Sequence, residues 1–169
     1  AEAVCTGVGI APVDVLELLT HLVEKSLVLV EAEESAARYY LLQTIRQYAL
    51  DKLLVAEESA GVRDRHLAFF AQLAATAEPQ LRATDQLLWL ARLDLEHDNL
   101  RAALHWAVSN GALETGLALT GNLARFWYLR GYWKEGRDWL QLLLAQPAPE
   151  AVLTDAFVRA RIKALCGAG

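Results

Sequence analysis

Apolar residues recur at spacings of three and four along most of this chain, the mark of helices with one buried face. The clearest run is 118–147. Leu119, Leu123, Phe126, Trp127 and Leu129 mark one face before Arg130-Gly131-Tyr132, and Trp133, Gly136, Trp139, Leu140, Leu143 and Leu144 mark another after it. The pattern predicts a helical hairpin. A glycine inside a helix costs about 1 kcal/mol against alanine, so Gly136 predicts a close approach of the first helix.

Upstream the period changes. Residues 1–12 hold two glycines and a proline and read as irregular chain, and 13–25 read as a helix with Val15, Leu18, Leu19 and Leu22 apolar, acids early and Lys25 last. Ser26–Glu31 and Arg38–Leu42 are strand candidates around a polar turn at 32–37, which predicts a β-hairpin. Thr44 with Gln47 three residues on predicts a capping box opening a helix to about Glu57.

From Gly61 the pattern is helical throughout. Val62–Ala77 places Leu67, Phe70, Ala71, Leu73 and Ala74 on one face, with Pro79 as its stop. A helix opening at Thr84-Asp85 carries Leu87, Leu88, Leu90 and Leu93. The polar patch Asp94, Glu96, His97, Asp98, Asn99 then predicts a kink or restart near Asp98, before Leu100, Ala103, Leu104 and Ala107 resume the face and Asn110-Gly111 ends it. A last helix from Thr154 or Asp155, with Phe157, Ile162 and Leu165 apolar, is expected to lack a packing partner, so that the native protein continues and the truncated helix frays or self-associates.

Composition narrows the function classes. The chain has 169 residues, 54% hydrophobic and 22% charged, which suits one large or two small helical domains. No apolar run reaches the roughly 18 residues that cross a bilayer, and no signal segment opens the chain, so a cytoplasmic location with no membrane partner is expected. Cys5 and Cys166 form no CxxC pair, which argues against a disulfide framework or zinc ribbon. A net charge of −5 argues against a general polyanion binder.

The hairpin at 118–147 resembles a tetratricopeptide repeat: Leu123-Ala124 stand where the repeat has Leu-Gly, Trp127 on its first aromatic, and Gly131 on its turn glycine. Gly136 takes the small position of the second helix, Leu140 its later large apolar position, and Pro147 or Ala148 that of the closing proline. Ala124 for Gly and Leu143 for Ala depart from the motif. The unit is tetratricopeptide-like and not consensus.

Two further phrases, RYYLLQTIRQYALDKL at 38–53 and WLARLDLEHDNLRAALHWAV at 89–108, resemble bacterial transcriptional regulators of the signal-transduction ATPase class (STAND, LuxR/AfsR-like). The resemblance covers essentially the whole chain. In that class an ATPase module is followed by a winged helix and a superhelical array of repeats. The resemblance therefore implies a mainly α fold: residues 1–58 as the C-terminal part of a winged-helix domain with its two-stranded β-hairpin, and 59–169 as a tetratricopeptide-like helical array, truncated in its last repeat. There is no GxxxxGK[ST] phosphate loop and no second acidic strand for magnesium, so the ATPase module itself is not in this sequence.

Leu42-Gln43-Thr44 stands where those regulators carry Met-His-Asp, whose histidine touches the phosphate of bound nucleotide. Gln43 thus marks the nucleotide-sensor position; it can donate a hydrogen bond but cannot carry the imidazolium charge. The plain alternative is that Gln43 and Thr44 cap a helix. No cofactor is expected of the chain alone. The helix at 13–25 bears Asp14, Glu17 and Glu24 against one Lys, a poor face for DNA phosphates, so no direct nucleic-acid contact is expected.

Among aromatic residues 126–139, Trp127, Trp133 and Trp139 fall where repeat packing wants bulk. Tyr128 and Tyr132, flanked by Arg125 and Arg130, are candidates for a partner-binding surface suited to an acidic or mixed peptide. His97 and His105 are eight residues apart, unlike the i, i+4 spacing of paired helical metal ligands, so the polar patch reads as a cap and a set of inter-helix hydrogen bonds. His66 with Arg63 and Arg65 reads as a solvated or interface face. No nucleophile context is present. The sequence thus points to a non-catalytic sensor segment that acts on a neighbouring ATPase module, or on a protein or peptide partner. Its alternatives are a free-standing tetratricopeptide-like scaffold, which the hairpin at 27–42 speaks against, and a small helical enzyme.

Overall fold

The computed structural model describes residues 1–147 except 8, 34 and 35. Among them, helices α1 (Glu2–Cys5) and α2 (Asp14–Glu24) precede strands β1 (Leu29–Glu33) and β2 (Ala36–Tyr40); α3 (Gln43–Val55), α4 (Ser59–Gln80), α5 (Gln86–Leu95), α6 (His97–Ser109), α7 (Leu113–Arg130) and α8 (Trp133–Leu144) follow. This is a mainly α-helical array preceded by a two-stranded antiparallel hairpin, as expected. The chain divides into two compact units, Ala1–Arg65 and His66–Gly169, with the division falling within α4. The last helix expected from Thr154 or Asp155 lies outside the described residues.

In the first unit α2, the hairpin and α3 follow one another in the order of a winged helix's back half. Residues 26–28 are not strand. Ser26 takes a left-handed φ of 56°, and the amides of Leu27 and Val28 both donate to the Leu22 carbonyl, at 2.9 and 3.2 Å. They close the end of α2, so β1 starts only at Leu29. Leu29 pairs with Tyr40 and Glu31 with Arg38, a register that draws 32–33 and 36–37 into the ladder instead of the turn. The capping box at Thr44 is also absent: the cap lies two residues earlier, at extended Leu42, with no side-chain cap bond, and Gln47 donates to Asp51 one turn on. Thr44 already lies inside the helix, where its hydroxyl cannot reach an unsatisfied first-turn amide.

Burial in this unit is thin. Of the apolar face expected on α2, Val15 is buried, while Leu18 and Leu22 are exposed. A short helix beside two strands offers too little surface to cover them. Arg65, expected at a solvated or interface face, donates its Nε to the Val4 carbonyl at 2.9 Å and is partly buried.

The second unit carries the core: Leu67, Phe70, Leu73, Leu81, Leu90, Leu93, Leu100, Leu104, Leu117, Leu119, Leu123, Phe126 and Leu143 are all buried in one cluster. His66 belongs to its edge, with its ring 4.6 Å from that of Phe70. Burial lowers its pKa below the ordinary value, opposed by a hydrogen bond with Asn99 and the charge of Glu96. Pro79 sits in the last turn of α4, which ends one residue later at Gln80; its ring and missing amide break the i to i−4 bonding there. The polar patch restarts the helix at Glu96, between α5 and α6. Leu90 and Leu93 are buried, but Leu87 and Leu88 are 79% and 69% exposed, since the first turn of α5 lies beyond the packed face. Trp133 is likewise a correction: it is 61% exposed at the start of α8, its ring stacked on that of Tyr128.

Two features shape the α7–α8 hairpin. Gly131 ends α7 at φ 74°, ψ 16°, a left-handed conformation that residues with a Cβ resist. Gly131→Ala is expected to cost about 1 kcal/mol, a drop of about 2–4 °C in the melting midpoint; an unchanged midpoint would mean that the turn relaxes. A Cβ built on Gly136 would meet Cε3 of Trp127 at 2.6 Å, so the close approach read from this glycine is present.

Candidate functional site

The site is assembled where α6 and α8 meet the turn after α7. Glu135 lies in the first turn of α8 and points at α6. Its Oε1 accepts from Arg101 Nε at 2.9 Å and pairs with His97 Nε2 at 3.1 Å, while Oε2 accepts from Arg101 Nη2 at 2.6 Å. Such a two-pronged guanidinium–carboxylate contact fixes orientation as well as distance. The His97 ring is stacked on Tyr132 at 4.7 Å and meets Phe126 edge-on at 5.5 Å. One carboxylate therefore ties α8 to α6, and the histidine beneath it ties both to the turn and to α7.

Electrostatics follow from this geometry. Burial is the largest single influence on Glu135 and works to raise its pKa, but the Arg101 hydrogen bond and the charges of His97 and Arg101 together outweigh it and hold the carboxyl below its ordinary value. The hydrogen bond to Glu135 in turn raises the Arg101 pKa. Beside the cluster opens a cleft of about 520 Å³, lined by Arg101, Tyr132, Lys134, Asp138, Trp139 and Leu142 among others. The His105 ring meets that of Trp139 edge to face at 4.8 Å.

Tyr132 lines the cleft. Arg125 donates its Nε to the Leu81 carbonyl at 2.9 Å, and so caps the chain leaving α4. Arg130 pairs with Asp94 Oδ2, joining α7 to α5. Tyr128 is 63% exposed and stacked on Trp133. Gln43 is the exposed first residue of α3, in the other unit. Phe126, weighed with these aromatics, is fully buried. The structure thus brings Tyr132 together with residues the sequence reading did not single out: Arg101, Lys134, Glu135, Asp138 and Leu142. Glu135 looked like an ordinary first-turn acid, 38 residues from His97. The usable signal was the polar patch itself, whose Asp94 and His97 do form inter-helix contacts. Among the described residues no group of three or more His, Cys, Asp or Glu could hold a metal ion, and no helix is long and apolar enough to cross a membrane.

The chain is similar to proteins that carry the name of a proposed HTH-type transcriptional regulator. One is from Mycobacterium bovis and two are from strains of Mycobacterium tuberculosis; each is 38% identical over 160 residues, covering 95% of this chain. The chain spans 18% of the length of these curated relatives. No family model matches it, and no solved structure does. The likeness is therefore distant in degree, nearly complete over this chain, and confined to one stretch of much longer proteins. It includes the α6–α8 region that holds the site.

Proposed function

We propose that this chain is a non-catalytic regulatory segment of a larger transcription regulator, in which the α2–β-hairpin–α3 unit is the end of a winged helix and the helices from α4 onward begin a tetratricopeptide-like sensor array. The observation that carries the reading is the likeness over 95% of the chain to one 18% stretch of longer HTH-type regulators. The packing agrees: the well-packed part of the molecule is a helical array, and its polar groups pair with one another across helices. The array works in the cytoplasm by contact with a ligand or protein partner and biases a neighbouring ATPase module, as a two-state element biased by whichever ligand prefers one state. Gln43, at the start of α3, is the position through which nucleotide in that module would be sensed.

The test is a graft. Replacing the matching 160-residue stretch of the Mycobacterium tuberculosis relative with this chain is expected to preserve regulated output from a reporter, whereas deleting the stretch is expected to leave output unregulated with promoter occupancy retained. Regulated output after deletion would overturn the reading. The isolated chain is expected to hydrolyse no ATP and to bind no duplex DNA at physiological salt; salt-sensitive duplex binding would contradict the contact-only role.

A further inference from the structure

We propose that the cleft between α6 and α8 binds a small amphiphilic monocarboxylate, with the acid group on Arg101 and Lys134 and the apolar body over Trp139, Tyr132 and Leu142. This deepens the sensor reading, on which it rests for the array being the ligand-bearing part. The cleft holds cationic donors whose hydrogen-bonding capacity is only partly used. Glu135 is largely engaged within the protein, since both oxygens already accept from Arg101 and one also meets His97, and a carboxylate ligand brings no donor to what capacity Oε2 keeps. Arg101 commits Nε and Nη2 to that carboxylate, but Nη1 has only a 3.5 Å contact with Asp98, whose side chain is 97% exposed. Contacts that long and that wet contribute little.

Lys134 is similar. Its Nζ meets Asp138 at 2.9 Å in a pair 86% and 51% exposed, the kind of surface pair a better-placed anion displaces at small cost. Two cationic donors of the cleft thus have N–H groups to give. Between and beside them lie Trp139, Tyr132 and Leu142, of which Leu142 is 48% exposed although it borders the cleft. The volume falls in the range of about 300–1,000 Å³ typical of small-molecule sites. Charge selects among anions. Arg101 and Lys134 are balanced by Glu135 and Asp138 in the same cleft, and repulsion from those two carboxylates grows with the charge of the anion, which favours a singly charged acid over a phosphate dianion.

The probe is 3-phenylpropionate, with its amide and 3-phenylpropylamine as controls of matched shape. Titration into the isotopically labelled full chain is followed at the indole N–H of Trp139 in two-dimensional nuclear magnetic resonance spectra. On so open a surface the acid is expected to bind with a Kd of about 1 mM, about tenfold tighter than either control. Lys134→Gln, at a position exposed enough to leave folding untouched, is expected to weaken the acid about fivefold, and Arg137→Gln, outside the cleft, to leave it unchanged. The proposal is overturned if the amide or the amine binds as well as the acid, if Trp139 does not move by about 10 mM acid, or if Lys134→Gln changes nothing. The titration needs no partner module, so its failure removes the ligand class and leaves the graft to judge the regulatory reading.

Discussion

Gly136→Leu is expected to lower the melting midpoint, against the ordinary preference of helices for leucine over glycine. In an exposed helix the exchange gains up to about 1 kcal/mol. Here the Cβ alone would sit 2.6 Å from Cε3, 3.0 Å from Cδ2 and 3.3 Å from Cζ3 of Trp127. Those atoms belong to a rigid bicyclic ring that is 4% exposed, not to the free end of a flexible chain. The ring can move only by displacing the fully buried core around it or by parting α7 from α8. Overpacking of this kind costs about 1–3 kcal/mol; set against the helix gain it leaves a net loss of up to about 2 kcal/mol, a downward shift of up to about 8 °C for a chain of this size. Gly136→Ala separates the causes. A raised midpoint for the alanine variant would show that the ring gives way, and that the close approach of α7 and α8 is not what this glycine is for.

The same pair shows what sequence could convey. Trp127 and Gly136 were readable because each lies on a helix whose apolar period survives for three turns or more, and a glycine interrupting such a period has few explanations other than a near neighbour. Helices α6 to α8 were legible for that reason, and Gly111 and Gly131 marked their ends by taking positive φ at 68° and 74°. Where the period is short, helix ends and strand starts look alike in sequence. The stretch 26–28 is as β-branched and apolar as the strand after it, and only the two amides folding back on Leu22 distinguish a helix end from a strand start. Thr44 and Gln47 had the right spacing for a capping box, but the helix began before them. Spacing defines a box only relative to a first residue that sequence leaves uncertain by one or two positions.

The site was less legible than the fold, for a physical reason. Periodicity reports which face of a helix is buried, but it does not report which polar residue on one helix meets which on another. Tyr132 was found because aromatics close to a turn are conspicuous. Arg125 and Arg130 were conspicuous too, yet the one caps a carbonyl at Leu81 and the other pairs with Asp94. Glu135 and Arg101 are 34 residues apart, and nothing local distinguishes them from the many solvated charges on α6 and α8.

Glu135→Ala is therefore expected to have an effect that its position in the sequence does not announce. The side chain is 18% exposed and accepts two hydrogen bonds from Arg101, besides its contact with His97. Removing it strands a guanidinium and leaves His97 held only by its ring contacts. Hydrogen bonds to a charged group are worth about 1.5–3 kcal/mol, and because Arg101 is 45% exposed and regains water, the loss should fall toward the lower end. Acid tests the same contact without mutation. The Glu135 pKa lies below its ordinary value in the folded chain, so the folded state binds that proton less readily than the unfolded state. Its contribution is then complete above the unfolded carboxyl value of about 4.3 and is lost as the pH falls through the lower, folded value. Melting the parent chain and Glu135→Gln side by side from neutral pH down into that range should show the two curves converging as acid is added. Glutamine keeps the shape and can still accept one hydrogen bond but carries no titrating charge. Curves that stay parallel through the carboxyl range would mean that Glu135 contributes by shape alone, and that the ion pair joining α6 to α8 does not stabilise the fold.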